Sequence, residues 1–223
     1  MNNHYKHIIW DWNGTLFNDV ELCLDVLNGL LLRNELNPIT ITKYREIFTF
    51  PVKDYYAKAG LDLEKYSFEI LGKEWMDEYQ NRRLEARLFH NAEKYLQKIF
   101  SSGVEQSILS AYKQDTLLEL VNHFQLSKYF TYLNGLDHIY ATSKVDLGKE
   151  LMEKLNHEKG EVLLVGDTVH DFEVAREIGA DCVLIASGHQ SKSKLVECKV
   201  KVYENLDEMM NNFKFTNQSI SII

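Results

Sequence analysis

From Leu88 onward, short unbroken apolar runs alternate with segments of helical period, and this alternation narrows the possible folds more than any other feature of the chain. "QSILS", "EVLLVGD" and "DCVLIA" read as buried strands, and "VKVYE" as a shorter one. "NAEKYLQKIFSSG", "QDTLLELVNHF", "VDLGKELMEKL" and "DFEVAREIGA" repeat apolar residues at helical spacing, and "KSKLVEC" is a further short segment between the last two strands. Strands that are apolar on both faces and separated by helices imply a parallel sheet covered on both sides. The run His7–Trp10, "HIIW", adds one more strand near the start of the chain. The tail "KFTNQSISII" is expected to fray, with its last residues available to pack onto the core.

Between the first strand and this alternating region the character changes. Asn18 to about Arg87 holds no convincing strand. "NDVELCLDVLNGLLLRNEL" places Val20, Cys23, Leu24, Leu27, Leu30 and Leu31 on one helix face, and Asn18 with Glu21 resembles a capping box. "TKYREIF", "VKDYYAKAG" and "LEKYSFEILGKEWMDEYQNRRLEA" read as further helices, with Gly60 stopping the second of them. The expected fold is therefore α/β. A Rossmann-like parallel-sheet core is formed by residues 1–17 and 88–223, and an all-helical domain of residues 18–87 is inserted after the first strand.

Composition excludes several function classes. A net charge of -8 disfavours nucleic acid and anionic membrane as partners, because both need a basic surface. No apolar stretch of about 18 residues occurs that could span a bilayer, and "MNNHYKHIIW" lacks a signal-peptide core. Cys23, Cys182 and Cys198 are widely spaced and form no CxxC pair, which argues against a zinc motif or a disulfide framework and for a cytoplasmic location. Oligomeric state is not legible.

In open parallel sheets ligands bind at the carboxyl ends of the strands. The residues leaving those ends are Asp11 after "HIIW", Ser110 after "SIL", and Gly166-Asp167 after "EVLLV", with Asp171 four positions further on in "GDTVHD". If the strands are neighbours, Asp11, Asp167 and Asp171 converge, and carboxylates packed that closely need a cation among them. An all-oxygen set without His or Cys suits a hard ion, Mg2+ above all, and the backbone carbonyl of Asn13 is a further candidate ligand. Ser110 and Ala111, just ahead of a helix start near Gln114, offer a hydroxyl and free amides to an anion. Lys144 opens a helix, where the dipole disfavours a cation, and a bound phosphate would account for it.

The motifs "DWNGTL", "SILSA", "ATSKVDLGK" and "GDTVHD", in this order and spacing, resemble those of the haloacid dehalogenase superfamily of phosphohydrolases. The helical insertion resembles the cap of its phosphoglycolate phosphatase and phosphoglucomutase-like subfamily. The resemblance runs from about residue 6 to 203. It implies a magnesium-dependent phosphatase acting on a small phosphorylated metabolite. Asp11 would be the nucleophile that becomes an aspartyl phosphate, and Asp11, Asp167 and the Asn13 carbonyl would hold the metal. Asp171 would orient a metal-bound water or Lys144. Ser110, Lys144 and the amides around Gly14 and Thr15 would hold the phosphoryl oxygens.

Asn13 departs from that pattern, which places an acid/base Asp two residues after the nucleophile. An amide exchanges no proton at neutral pH, and losing a positioned acid/base costs about 10²–10⁴-fold. Three readings follow: a phosphatase favouring acyl phosphates, aryl phosphates or pyrophosphate; a slow or non-catalytic binder of Mg2+ and a phosphorylated ligand; or a phosphonate-cleaving hydrolase using an insertion lysine, Lys53 or Lys58. His170, inside "GDTVHD", is a candidate proton relay, and Gly188 and His189 lie at another strand exit, where Gly188 reads best as a turn residue. Phe48, Phe50, Pro51, Tyr55 and Tyr56 either select substrate or pack between helices.

Overall fold

The computed structural model describes residues 4–136, 143–216 and 218–222. Ala141 and Thr142 of "ATSKVDLGK", and the outermost residues of both termini, lie outside the described residues. In chain order, strand β1 (His7–Trp10) leads through β2 (Phe17–Asn18) into helices α1 (Val20–Arg33), α2 (Ile41–Ile47), α3 (Val52–Ala59) and α4 (Phe68–Arg82), and returns through β3 (Arg87–Leu88). Next come α5 (Ala92–Ser101), β4 (Glu105–Lys113), α6 (Gln114–His123), β5 (Tyr132–Leu136), α7 (Lys144–Leu155), β6 (Val162–Gly166), α8 (Val169–Ile178), β7 (Asp181–Ile185), α9 (Lys192–Val196) and β8 (Lys201–Tyr203). Helix α10 (Leu206–Asn211) and the strands β9 (Phe213–Thr216) and β10 (Ser219–Ile222) complete the chain.

Six strands form one parallel sheet in the order β5-β4-β1-β6-β7-β8. Strand β1 is central, and "HIIW" is buried along its whole length. Its side chains alternate between two cores: Ile8 and Trp10 join the larger apolar cluster, whereas Ile9 packs with Leu109, Leu151, Leu164 and Val174 on the other face. Burying one such aliphatic side chain contributes about 1.5–3 kcal/mol, and here both faces of a short strand contribute. In this register β1 and β6 end side by side, with Trp10 paired to Val165, and β4 lies on the other flank with Trp10 paired to Ile108. Asp11 and Asp167 therefore leave the same edge of the sheet, with Ser110 beside them, two residues past Ile108 within β4.

The helical insertion leaves and rejoins the core through β2 and β3, an antiparallel pair matching Phe17 to Leu88 and Asn18 to Arg87. Helices α1 and α4 pack together, and the Arg33 guanidinium reaches the Glu78 carboxylate on α4 at 2.8 Å. Gly60 ends α3 with φ +103°, in the left-handed region that L side chains avoid.

Several expectations are corrected. The Asn18–Glu21 capping box does not form: α1 starts one residue later, Asp19 stands at its N-cap, and the Asp19 carboxylate is recruited elsewhere instead of capping the helix. Strand β4 does not end at Ser110. It runs to Lys113, with an irregular register against β5 between Leu109 and Lys113, and the Ser110 hydroxyl accepts from the Tyr112 amide at 3.0 Å. Strand β5, "YLNGL", escapes an apolar-run reading because it is an edge strand and only partly buried. The described residues of the tail are ordered instead of frayed, and the expected packing of its last residues onto the core is found. Strands β9 and β10 form a hairpin, and Ile220 is fully buried against the core while its backbone bridges that of Tyr5. Ile220→Ala should therefore cost about 2–5 kcal/mol in urea denaturation, whereas a loose tail would leave the midpoint unchanged.

Candidate active site

Asp11 directly follows β1, and the loop Trp12–Leu16 folds back over it. The amides of Leu16 and Phe17 donate to the Trp12 carbonyl, and Gly14 holds φ +75°. A Cβ on Gly14 would lie 2.3 Å from Asp167 Oδ2, and one on Gly188 would lie 2.2 Å from the same atom. Gly188 is thus required for close approach of two loops and is more than a turn residue.

The three carboxylates converge. Asp11, Asp167 and Asp171 are all buried, and each offers an oxygen within 4.8 Å of the others. Lys144, the first residue of α7, is itself buried, and its ammonium donates to Asp11 Oδ1 at 2.5 Å and to Asp171 Oδ1 at 2.6 Å. Asp171 Oδ2 accepts from the Thr168 hydroxyl and from the amides of Thr168 and Asp167, which closes a capping box at the start of α8. The Thr15 hydroxyl faces both Asp11 Oδ2 at 3.2 Å and Asp167 Oδ1 at 3.3 Å. A hydroxyl carries one proton, so two anionic oxygens compete for a single donor.

The electrostatics reflect that shortage. Burial raises the Asp11 carboxyl to about 6 against the pull of Lys144, and burial with the neighbouring Asp11 and Asp171 raises Asp167 to about 8 despite His189. Asp171 moves the other way: burial opposes its ionisation, and Lys144 with the Thr168 hydroxyl more than offsets it. Lys144 is likewise raised, its two carboxylate partners outweighing burial. Two protonatable carboxylates facing each other across one hydroxyl fit a hard divalent cation held through oxygen.

A second network, which sequence reasoning largely missed, surrounds Asn13. Its side-chain amide donates to Asp19 Oδ2 at 2.8 Å and faces the Tyr79 hydroxyl at 3.0 Å, and that hydroxyl donates to Asp19 Oδ2 at 2.6 Å. Because an ionised carboxylate only accepts, the amide nitrogen must point toward Asp19. Asp19 Oδ1 accepts from the Gly14 amide and lies 3.2 Å from His189 Nε2. The His189 ring is buried, stacks on Phe48 and pairs through Nδ1 with the Tyr44 hydroxyl at 2.8 Å, while its backbone amide donates to Asp167 Oδ2 at 2.6 Å. Burial alone would lower His189, yet Asp19 and Asp167 raise it to about 9, so it is an imidazolium at neutral pH. Asp19 stays ionised, its partners His189, Tyr79 and Asn13 overcoming its burial. The one signal in the sequence is His189 at a strand exit; Asp19, next to the expected cap Asn18, is not among the sequence candidates.

The remaining candidates divide. Ser110 is buried at the end of the sheet that carries Asp11, whereas Ala111 is exposed. His170 is partly exposed, faces Glu173 at 3.6 Å and lies against the Phe50 ring. Lys53 and Lys58 are exposed on α3. Tyr55 and Tyr56 are buried among rings, as packing between helices requires, and Phe50 is exposed. Arg45 on α2 donates to the carbonyls of Ser187 and Gly188, tying the insertion to the His189 loop.

A family model described as haloacid dehalogenase-like hydrolase matches residues 8–185. The chain belongs to that family. Among solved structures, it is similar to a predicted phosphatase from Clostridium acetobutylicum, 18% identical with 93% of this chain and 97% of that one covered and a TM-score of 0.76. A predicted phosphoglycolate phosphatase from Haemophilus somnus is 15% identical over 93% and 97%, with a TM-score of 0.72. Protein tyrosine kinase A from Mycobacterium tuberculosis is 20% identical over 93% and 97%, with a TM-score of 0.77. These likenesses show a shared fold, and the third carries a different activity in its name. No curated protein matches the sequence significantly. Among the described residues no helix is long and apolar enough to cross a membrane.

Two outcomes follow from this geometry. Because burial raises the Asp11 and Asp167 carboxyls to about 6 and about 8 in the folded chain, the metal-free fold loses stability as pH rises from about 4 to 8. A divalent ion entering this cluster would have to displace the protons those carboxyls hold, so the rise in melting temperature on adding Mg2+ should be larger at pH 8 than at pH 5. Second, Asn13→Asp would set a carboxylate against Asp19, and each unit of raised pKa costs about 1.4 kcal/mol. A carboxyl raised in the folded state weakens the fold as pH rises, so Asn13→Asp should lose stability between pH 4 and 7 in urea titrations, and adding Asp19→Asn should recover it.

Proposed function

We propose that this haloacid dehalogenase-like hydrolase is a Mg2+-dependent phosphatase for a small phosphorylated metabolite, working through an aspartyl phosphate on Asp11. The observation carrying this reading is the buried convergence of Asp11, Asp167 and Asp171 around Lys144. In the proposed reaction Asp11 attacks phosphorus in line as the bond to the leaving oxygen breaks, and water then hydrolyses the acyl phosphate. Lys144 holds Asp11 in place and offers its ammonium to a phosphoryl oxygen. Asp171, whose two oxygens are already bonded, orients Lys144. Ser110 with the backbone at Ala111, and the amides of Gly14 and Thr15, are the remaining phosphoryl donors. Magnesium, held by Asp11, Asp167 and the Asn13 carbonyl within the acidic set that Asp171 completes, supplies positive charge that offsets repulsion between nucleophile and phosphate.

Residues 18–87 act in this proposal as a cap domain over a core of residues 1–17 and 88–223, excluding water and large substrates. The free cysteines at positions 23, 182 and 198 fit a reducing, cytoplasmic setting. The name phosphoglycolate phosphatase, borne by one of the similar structures, makes a small phosphorylated acid one candidate substrate.

Asn13 decides which substrates are competent. Its amide is committed to Asp19 and Tyr79 and has no proton to give a leaving oxygen. Leaving groups that depart as stable anions are therefore favoured, as in acyl and aryl phosphates. With Mg2+ present, hydrolysis of an aryl phosphate should exceed that of an alkyl phosphate by about 10²–10⁴-fold, and Asp11→Asn should abolish both. Binding of phosphorylated ligands without turnover on any aryl or acyl phosphate would instead indicate a non-catalytic binder. Borohydride trapping on Lys53 or Lys58 would indicate phosphonate chemistry.

A further inference from the structure

At the opposite end of the sheet from Asp11, the chain gathers a different set of ligands. His7 opens β1 and Glu105 opens β4, and the two residues pair in register across adjacent parallel strands. His157 joins them from the connection between α7 and β6, just after Asn156 turns the chain with φ +50°. We propose that His7, Glu105 and His157 form a second metal site, selective for a borderline divalent ion of the Zn2+ class.

The distances support coordination over simple hydrogen bonding. His7 Nδ1 and His157 Nε2 each lie 3.4 Å from Glu105 Oε2. That is long for an N–H···O bond, and longer still for one to a carboxylate, which draws in to about 2.7–2.9 Å. It equals the separation of donor atoms around a tetrahedral ion whose ligands sit at about 2.0–2.2 Å, since the tetrahedral edge is then about 3.4 Å. One donor atom from each residue lies within 4.8 Å of the other two.

The surroundings fit the same role. His7 is completely buried, and loss of hydration pulls it down to about 4 despite Glu105, so its imidazole is neutral and has a lone pair to give. Its other nitrogen lies 3.0 Å from the Ser107 hydroxyl, which can accept Nε2–H and leave Nδ1 for a metal. Glu161 stands 3.8 Å from His157 Nδ1, beyond hydrogen-bond reach but a negative charge beside the proposed cation. Half the Glu105 side chain is exposed, so an ion can reach the site from solvent. Two nitrogens and one carboxylate suit zinc and disfavour magnesium, which separates this site chemically from the all-oxygen cluster.

The test uses the intact chain with excess Mg2+ occupying the acidic cluster, titrated with Zn2+ by calorimetry and with Co2+ by visible absorption. Wild type should bind one ion per chain at this site, with the intense d–d bands of a tetrahedral nitrogen-containing site. His157→Ala and Glu105→Gln should each weaken binding by roughly tenfold or more and remove the bands, while Asp11→Asn should leave both unchanged. Both substituted side chains are at least partly exposed, so folded protein is expected from either. Equal Zn2+ affinity in wild type and both variants, or no uptake by wild type under these conditions, would overturn the site.

Discussion

Everything at the sheet's carboxyl edge depends on Lys144. Three carboxylates brought out of water together would repel each other and shed their charge by taking up protons. One buried ammonium, seated between Asp11 and Asp171, limits the rise that burial forces on the first to about 6 and holds the second below its ordinary value. Asp167 lacks that contact and is left with the largest appetite for a proton. The cluster is thus neutralised on one side and electrostatically incomplete on the other, which is the condition in which a dication gains most.

Much of this was legible in the sequence, and the parts that were not share a cause. The buried strands and the helices between them announced themselves because continuous apolar runs and helical periods are local signals. Asp11, Asp167 and Asp171 could be placed together because a parallel sheet sends successive strand ends to one edge. Strand β5 and the hairpin β9–β10 failed the same test, since each is partly polar and gains its order from neighbours distant in sequence. Asp19, and its pairing with His189, were missed for a related reason. Their pairing joins positions 170 residues apart, and nothing in either local stretch reports that a carboxylate and an imidazole will meet in a dry pocket.

The Asn13 substitution also reads differently in three dimensions. Viewed as a string, it is the absence of the acid/base carboxyl that the family resemblance implies at this position. In the folded chain a carboxylate is still present nearby, at Asp19, and it is saturated by an imidazolium, a phenol, a backbone amide and the Asn13 amide. Position 13 and position 19 therefore constrain each other: with an ionised acid at the second, an amide is the better-suited neighbour at the first.

Tyr79 on α4 and Tyr44 on α2 carry one more consequence. Both hydroxyls reach out of the helical insertion, Tyr79 accepting from the Asn13 side-chain amide at 3.0 Å and Tyr44 pairing with His189 Nδ1 at 2.8 Å, so the insertion is hydrogen-bonded to the loop that folds over Asp11 and to the His189 loop. A hinge that lifted the insertion would part both contacts, each worth about 0.5–1.5 kcal/mol net, and would loosen Asn13 and the Gly14 amide in the same movement. Product escape and relaxation of the reactive loop would then be one event, and the chain would be best ordered for chemistry only while closed.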